Sequence, residues 1–157
     1  MFRFFLLAAA ALTAWTAGAF EIKNTDMSGV RMTQVDSPYF SITVNPLGGR
    51  FWSMYSKLLK AELVDPSQDG SGTENVWNVG KSRFFLRGKP FIVSAEKFPD
   101  RAVVTSVGNH QGGGINFLRV KKSYTLWKNS ARITIDYDLE TSQMPCRRWL
   151  TASGSTT

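Results

Sequence analysis

The sequence predicts an all-β protein, an antiparallel β-sandwich. Three observations carry that expectation. Apolar and polar residues alternate with period two over Phe40–Asn45 and again over Arg132–Glu140. Turn residues recur at the 8–12-residue spacing of sandwiches and barrels. No segment shows a convincing amphipathic helical repeat.

The N-terminal residues concern targeting. Arg3 supplies a positive start, Phe4 to Trp15 an apolar core, and Ala17-Gly18-Ala19 a small-residue cleavage site. That order is the pattern of a secretory signal peptide over residues 1–19. Its apolar run falls short of the roughly 20 residues a membrane helix needs, and no later stretch is apolar enough to span a bilayer. A periplasmic or extracellular protein is expected, with no stable membrane span after cleavage.

The remaining elements follow in order. Phe40, Ile42 and Val44 alternate with Ser41, Thr43 and Asn45, and Pro46 and Gly48-Gly49 mark the turn. Phe51–Tyr55 is the return strand; over Leu58–Val64 a short helical turn and a strand end fit equally well. Residues 66–80 form a loop rich in Gly, Ser, Asp and Asn. Strands are predicted over Ser82–Leu86, Phe91–Lys97, Arg101–Val107, Ile115–Trp127 and Arg132–Glu140. Gly108–Gly114 reads as a flexible connection, which makes His110 a loop residue. Residues 20–145 form one partial sandwich domain, and 146–157 a polar tail.

The last hairpin can be registered from its pattern. A tight turn at Lys128–Ser130 puts Leu118, Val120, Tyr124 and Leu126 on the same side as Ile133, Ile135, Tyr137 and Leu139. It also sets Arg119 and Lys121 across from the acidic row Asp136, Asp138 and Glu140. Lys122 falls on the apolar face, where a long stem at the sheet margin would let its charge reach water, the favoured reading, with the lining of a polar cleft as the alternative.

Composition narrows the function. Without the leader, 18 Lys+Arg face 12 Asp+Glu, a net charge of about +6. Export argues against nucleic acid as the partner of this basic surface, and solvated faces or acidic glycans suit it better. The single cysteine, Cys146, permits no internal disulfide and reads as buried or incidental. One histidine and one cysteine support no zinc cluster, and no cofactor motif occurs. Asp136 and Asp138 lie about 6.6 Å apart along a strand, within the roughly 6.5–9.5 Å of inverting glycosidases. The basic row opposite explains them as a solvated face.

ITVNPLGGRFWSM, the run around FFLRGKPF, and LRVKKSYTLWKNSARITIDYDLETS together resemble the galactose mutarotase-like superfamily of β-sandwiches (the aldose 1-epimerase type) over most of residues 35–143. The resemblance implies a super-sandwich, of which this chain would be the N-terminal part, and a carbohydrate as partner. The family's epimerases use a His acid and a Glu base, and neither matches here: no His falls at Asp69–Gly80, and the base would lie beyond Thr157. The expectation is an exported carbohydrate-binding or carbohydrate-processing module, truncated, with no catalytic residues, metal or cofactor assigned. Arg50 and Trp77 are the candidate sugar contacts, by forked hydrogen bonds and by a flat apolar face respectively. The alternatives are the N-terminal part of an aldose epimerase or glycoside hydrolase, and a structural or partner-binding sandwich. Exposed edges of a partial sheet would favour self-association.

Overall fold

A computed structural model describes residues 20–65, 86–112 and 115–141. They form nine strands and no helix: β1 (Glu21–Met27), β2 (Val30–Asp36), β3 (Phe40–Asn45), β4 (Arg50–Ser56), β5 (Ala61–Glu62), β6 (Ile92–Lys97), β7 (Arg101–Gly112), β8 (Ile115–Trp127) and β9 (Ile133–Thr141). Two antiparallel sheets result, in the orders β1-β2-β3-β4-β5 and β6-β7-β8-β9. The all-β, two-sheet expectation holds. The leader, Ser82–Phe85, Trp77, Cys146 and the polar tail lie outside the described residues.

Each sheet is a chain of hairpins, so local turn chemistry sets its register. Ser28 (φ 53°) and Gly29 (φ 74°) form the two-residue turn between β1 and β2, the left-handed pair that matches strand twist. Sequence reasoning assigned no strand to residues 20–36. β1 is a mostly exposed edge strand, so its apolar side is thin and its pattern weak. The Ser-Gly dipeptide was the signal available.

The loop after β4 is a turn. Leu59 N donates to Ser56 Oγ (3.2 Å) and Lys60 adopts a left-handed φ of 52°. That leaves Leu58 and Leu59 exposed at the tip and returns the chain as two-residue β5.

The core lies between the sheets. Val35, Ile42, Val44 and Phe51 from the first pack against Ala102, Val104, Tyr124 and Leu126 from the second, with Phe20 at one end. The Phe51 and Tyr124 rings meet with centroids 4.3 Å apart, tilted by 44°. A bulge between Thr43 and Val44 interrupts the simple alternation of β3. As a result Thr43 and Asn45 are buried beside Ile42 and Val44.

The β8–β9 register is the one the alternation predicts, with Arg119 opposite Glu140, Lys121 opposite Asp138 and Ser123 opposite Asp136. Arg119 and Glu140 form an exposed ion pair at 3.5 Å. The acidic row is therefore a solvated face with cross-strand partners.

Two expectations are corrected. Gly108–Gly112 continues β7 instead of looping out, so His110 is a strand residue, opposite Leu118 of β8, and is 3% exposed. Lys122 is not at the sheet margin. Its residue is fully buried, because its place on the inward face of central strand β8 leaves the stem no edge to reach.

Candidate functional site

The inward faces of β7 and β8 change character along their length. Toward Arg101 they present Ala102, Val104, Tyr124 and Leu126. Toward His110 they present Ser106, Gly108, His110 and Lys122, all buried. Val120 and Leu118, which pair with Gly108 and His110 across the ladder, form a second small apolar cluster there with Leu86 and Phe91. A buried polar belt beside an apolar cluster is not what burial alone selects, since each polar atom there must find a partner or carry a cost.

The Asn45–Arg50 turn covers the belt. Asn45 Oδ1 accepts from Leu47 N (2.8 Å), an Asx turn that bends the chain after β3. Gly48 and Gly49 then take φ of 82° and 55°, the left-handed region open to glycine. In that conformation the Gly48 carbonyl accepts from Lys122 Nζ and the Gly49 carbonyl from Tyr124 Oη, both at 2.6 Å. Close approach excludes side chains at both glycines as well. A Cβ on Gly49 would lie 2.9 Å from the Phe91 ring and 3.0 Å from Ser106 Cβ, and one on Gly48 would lie 2.9 Å from the Arg87 carbonyl oxygen.

A second turn, Leu86–Pro90, is fastened to the first. Gly48 N donates to Lys89 O and Phe91 N to Pro46 O, each at 2.8 Å, with a bridge between Leu47 and Pro90. Three cationic side chains are thereby gathered at one end of the sandwich: Arg50, Arg87 and Lys89. Phe91 links them to the belt, since its ring lies 4.9 Å from the His110 ring and 4.9 Å from Lys122 Nζ.

Arg50, predicted as a sugar contact, is the first residue of β4 and is 6% exposed. It is not a solvated turn residue. Its Nε donates to Leu47 O at 3.1 Å, and its two Nη groups make no hydrogen bond among the described residues. Burial, and then the Arg87 charge, lower the Arg50 pKa from its ordinary value. Burial also lowers the pKa of His110, followed by the charges of Lys89 and Lys122. Both effects favour the neutral imidazole of His110.

Among the described residues, Ser106 Oγ and His110 Nε2 are buried without a hydrogen-bond partner. An unsatisfied buried polar group costs about 1–3 kcal/mol, so each calls for a physical explanation. Sequence reasoning missed both residues. Ser106 sits in an ordinary alternating strand, and His110 sits among glycines that imitate a loop. The signal available was the parity of Ser106, Gly108 and His110 with Ala102 and Val104 on one face.

Among the described residues the charges that act on His110 are cationic, and none of the causes of its shift is a carboxylate. Among those residues no group of three or more His, Cys, Asp or Glu is placed to hold a metal ion. A shallow depression lined by Phe20, Lys97, Phe98, Pro99 and Lys128 lies at the Arg101 end of β7, opposite the belt. No protein-family model, curated protein or solved structure matches this chain.

Proposed function

We propose that this chain is an exported carbohydrate-binding β-sandwich of galactose mutarotase-like type, acting in the periplasm or outside the cell, with its sugar held at the end where the two turns are fastened. The observation that supports this reading most is Arg50. The turn engages its Nε, and its two Nη groups make no hydrogen bond among the described residues. A fixed guanidinium with both Nη groups available can make paired hydrogen bonds to adjacent sugar oxygens. The half-buried Arg87 acts on it electrostatically.

Binding fits these residues better than processing. Ring opening or glycosidic cleavage requires an acid and a base on opposite sides of the reacting oxygens, and among the described residues the charges acting on His110 are cationic. The test is calorimetric titration of the purified chain with a panel of oligosaccharides, repeated on Arg50→Gln. Binding that weakens at least tenfold in Arg50→Gln supports the reading. Absence of binding to every sugar overturns it in favour of a structural or partner-binding sandwich.

A further inference from the structure

We propose that one end of the sandwich docks on an anionic lipid surface, with Leu58 and Leu59 entering the headgroup region. This is the end away from the two fastened turns. The inference shares the exported location with the function proposed above and does not depend on the sugar.

Contacts between the sheets define this end. Lys57-Leu58-Leu59-Lys60 is the tip of the β4–β5 hairpin, and Leu58 and Leu59 are 70% and 66% exposed. Lys57 Nζ lies 3.5 Å from Asp36 Oδ1, and Asp36 pairs with Glu21, the residue after Phe20. Phe20 lines the shallow depression together with Lys97, Phe98, Pro99 and Lys128. The leucine tip therefore lies at the same end as the turns that follow β6 and β8.

Charge, shape and the course of the chain point to lipid as the occupant. The three turns read Lys57-Leu58-Leu59-Lys60, Lys97-Phe98-Pro99-Asp100-Arg101 and Lys128-Asn129-Ser130-Ala131-Arg132, six cations against the single acid Asp100. Glu21, Asp36 and Glu62 sit on the strands behind. Glu62 is turned back onto β4, where its carboxylate accepts from Ser53 Oγ and Met54 N. Lysines flanking an inserted apolar tip can keep their ammonium groups at the lipid phosphates. As to shape, two leucines at a hairpin tip make a small patch. A stable protein interface takes about 800 Å² from each partner, whereas a bilayer surface receives apolar side chains without a matching pocket. Finally, the apolar run Phe4–Trp15 leads into the described fold at Phe20. The segment expected to enter the bilayer during export thus joins the sandwich at this end.

The experiment is co-sedimentation of the purified chain with vesicles, either an equimolar mixture of phosphatidylglycerol and phosphatidylcholine or phosphatidylcholine alone. It is repeated on the double variant Leu58→Ser, Leu59→Ser and on Lys60→Gln. Both leucines are exposed, so the double variant keeps its fold, and its thermal unfolding curve checks this. The expected result is that the anionic vesicles bind the chain about tenfold or more tightly than the neutral ones. The double variant should weaken that binding by about tenfold or more, as two leucines withdrawn from an apolar environment require. Lys60→Gln should weaken it by about fivefold, and raising the salt to about 0.5 M should weaken it further. No binding to the anionic vesicles overturns the inference, as does equal binding to the neutral ones. Binding that the double variant leaves unchanged also overturns it, since charge alone or another segment would then carry the interaction. A wild-type dimer that the double variant dissolves, with no vesicle binding, assigns the tip to a contact between copies and overturns the lipid inference. The sugar titration is unaffected by any of these results, so the two readings fail separately.

Discussion

Replacing Gly108 by alanine tests the packing of the polar belt with a single methyl group. The new Cβ would stand 2.4 Å from His110 Nε2, 2.8 Å from His110 Cε1 and 2.9 Å from Phe91 Cδ1. Ordinary carbon contacts are about 3.5–4.0 Å, so the imidazole must retreat by about 1 Å. It has little room, because its ring already faces Phe91 at 4.9 Å and is buried with it. Overpacking of this kind costs about 1–3 kcal/mol, a fall in Tm of roughly 3–12 °C for a chain of this size. Gly88→Ala is the matched control. Nothing lies within 4 Å of its added methyl, and its φ is outside the left-handed region. It should be neutral or stabilise by about 0.4–1 kcal/mol through the unfolded chain. Thermal unfolding followed by circular dichroism, with urea titration for the free energies, reads both. A Gly108→Ala protein as stable as Gly88→Ala would refute the placement of His110 against Gly108.

Other consequences are measurable in the same way. Phe51→Ala removes a ring that is 2% exposed and packed on Tyr124, and should cost about 3–5 kcal/mol in urea unfolding. Leu59→Ser, at the exposed β4–β5 tip, should change stability by less than about 0.5 kcal/mol. A large loss there would mean that the tip is covered. His110 gives an acid limb. Its folded pKa lies below the unfolded 6.5, so below pH 6.5 the unfolded chain binds more protons. Stability should then fall as pH drops from 6.5 toward the folded value, at up to about 1.4 kcal/mol per pH unit. Gln in place of His110 should remove this part of the slope.

The sheets were legible where one face is buried and the other wet. Ile133, Ile135 and Leu139 alternate with Asp136, Asp138 and Glu140, and that contrast sets the β8–β9 register. β1 was not legible because an edge strand with both sides largely exposed has little contrast. The site was half legible. Asn45-Pro46 and Gly48-Gly49 announce a turn, and Arg50 follows it. What the sequence could not show is that the turn folds inward over β8, so that its carbonyls meet Lys122 and Tyr124. Those bonds join residues more than 70 positions apart in the chain. Lys122 and His110 were misplaced for related reasons. A lysine on an apolar face usually finds an edge, and glycines around a histidine usually mean a loop. Here the glycine beside His110 serves close packing, since a methyl at Gly108 would collide with the ring.

His110 is the sole histidine of the chain, so its imidazole gives one uncluttered NMR signal. Titration of that signal between pH 4 and 9 tests the buried placement of His110 most directly. The account predicts an apparent pKa below 6.5. A pKa at or above 6.5 would contradict it.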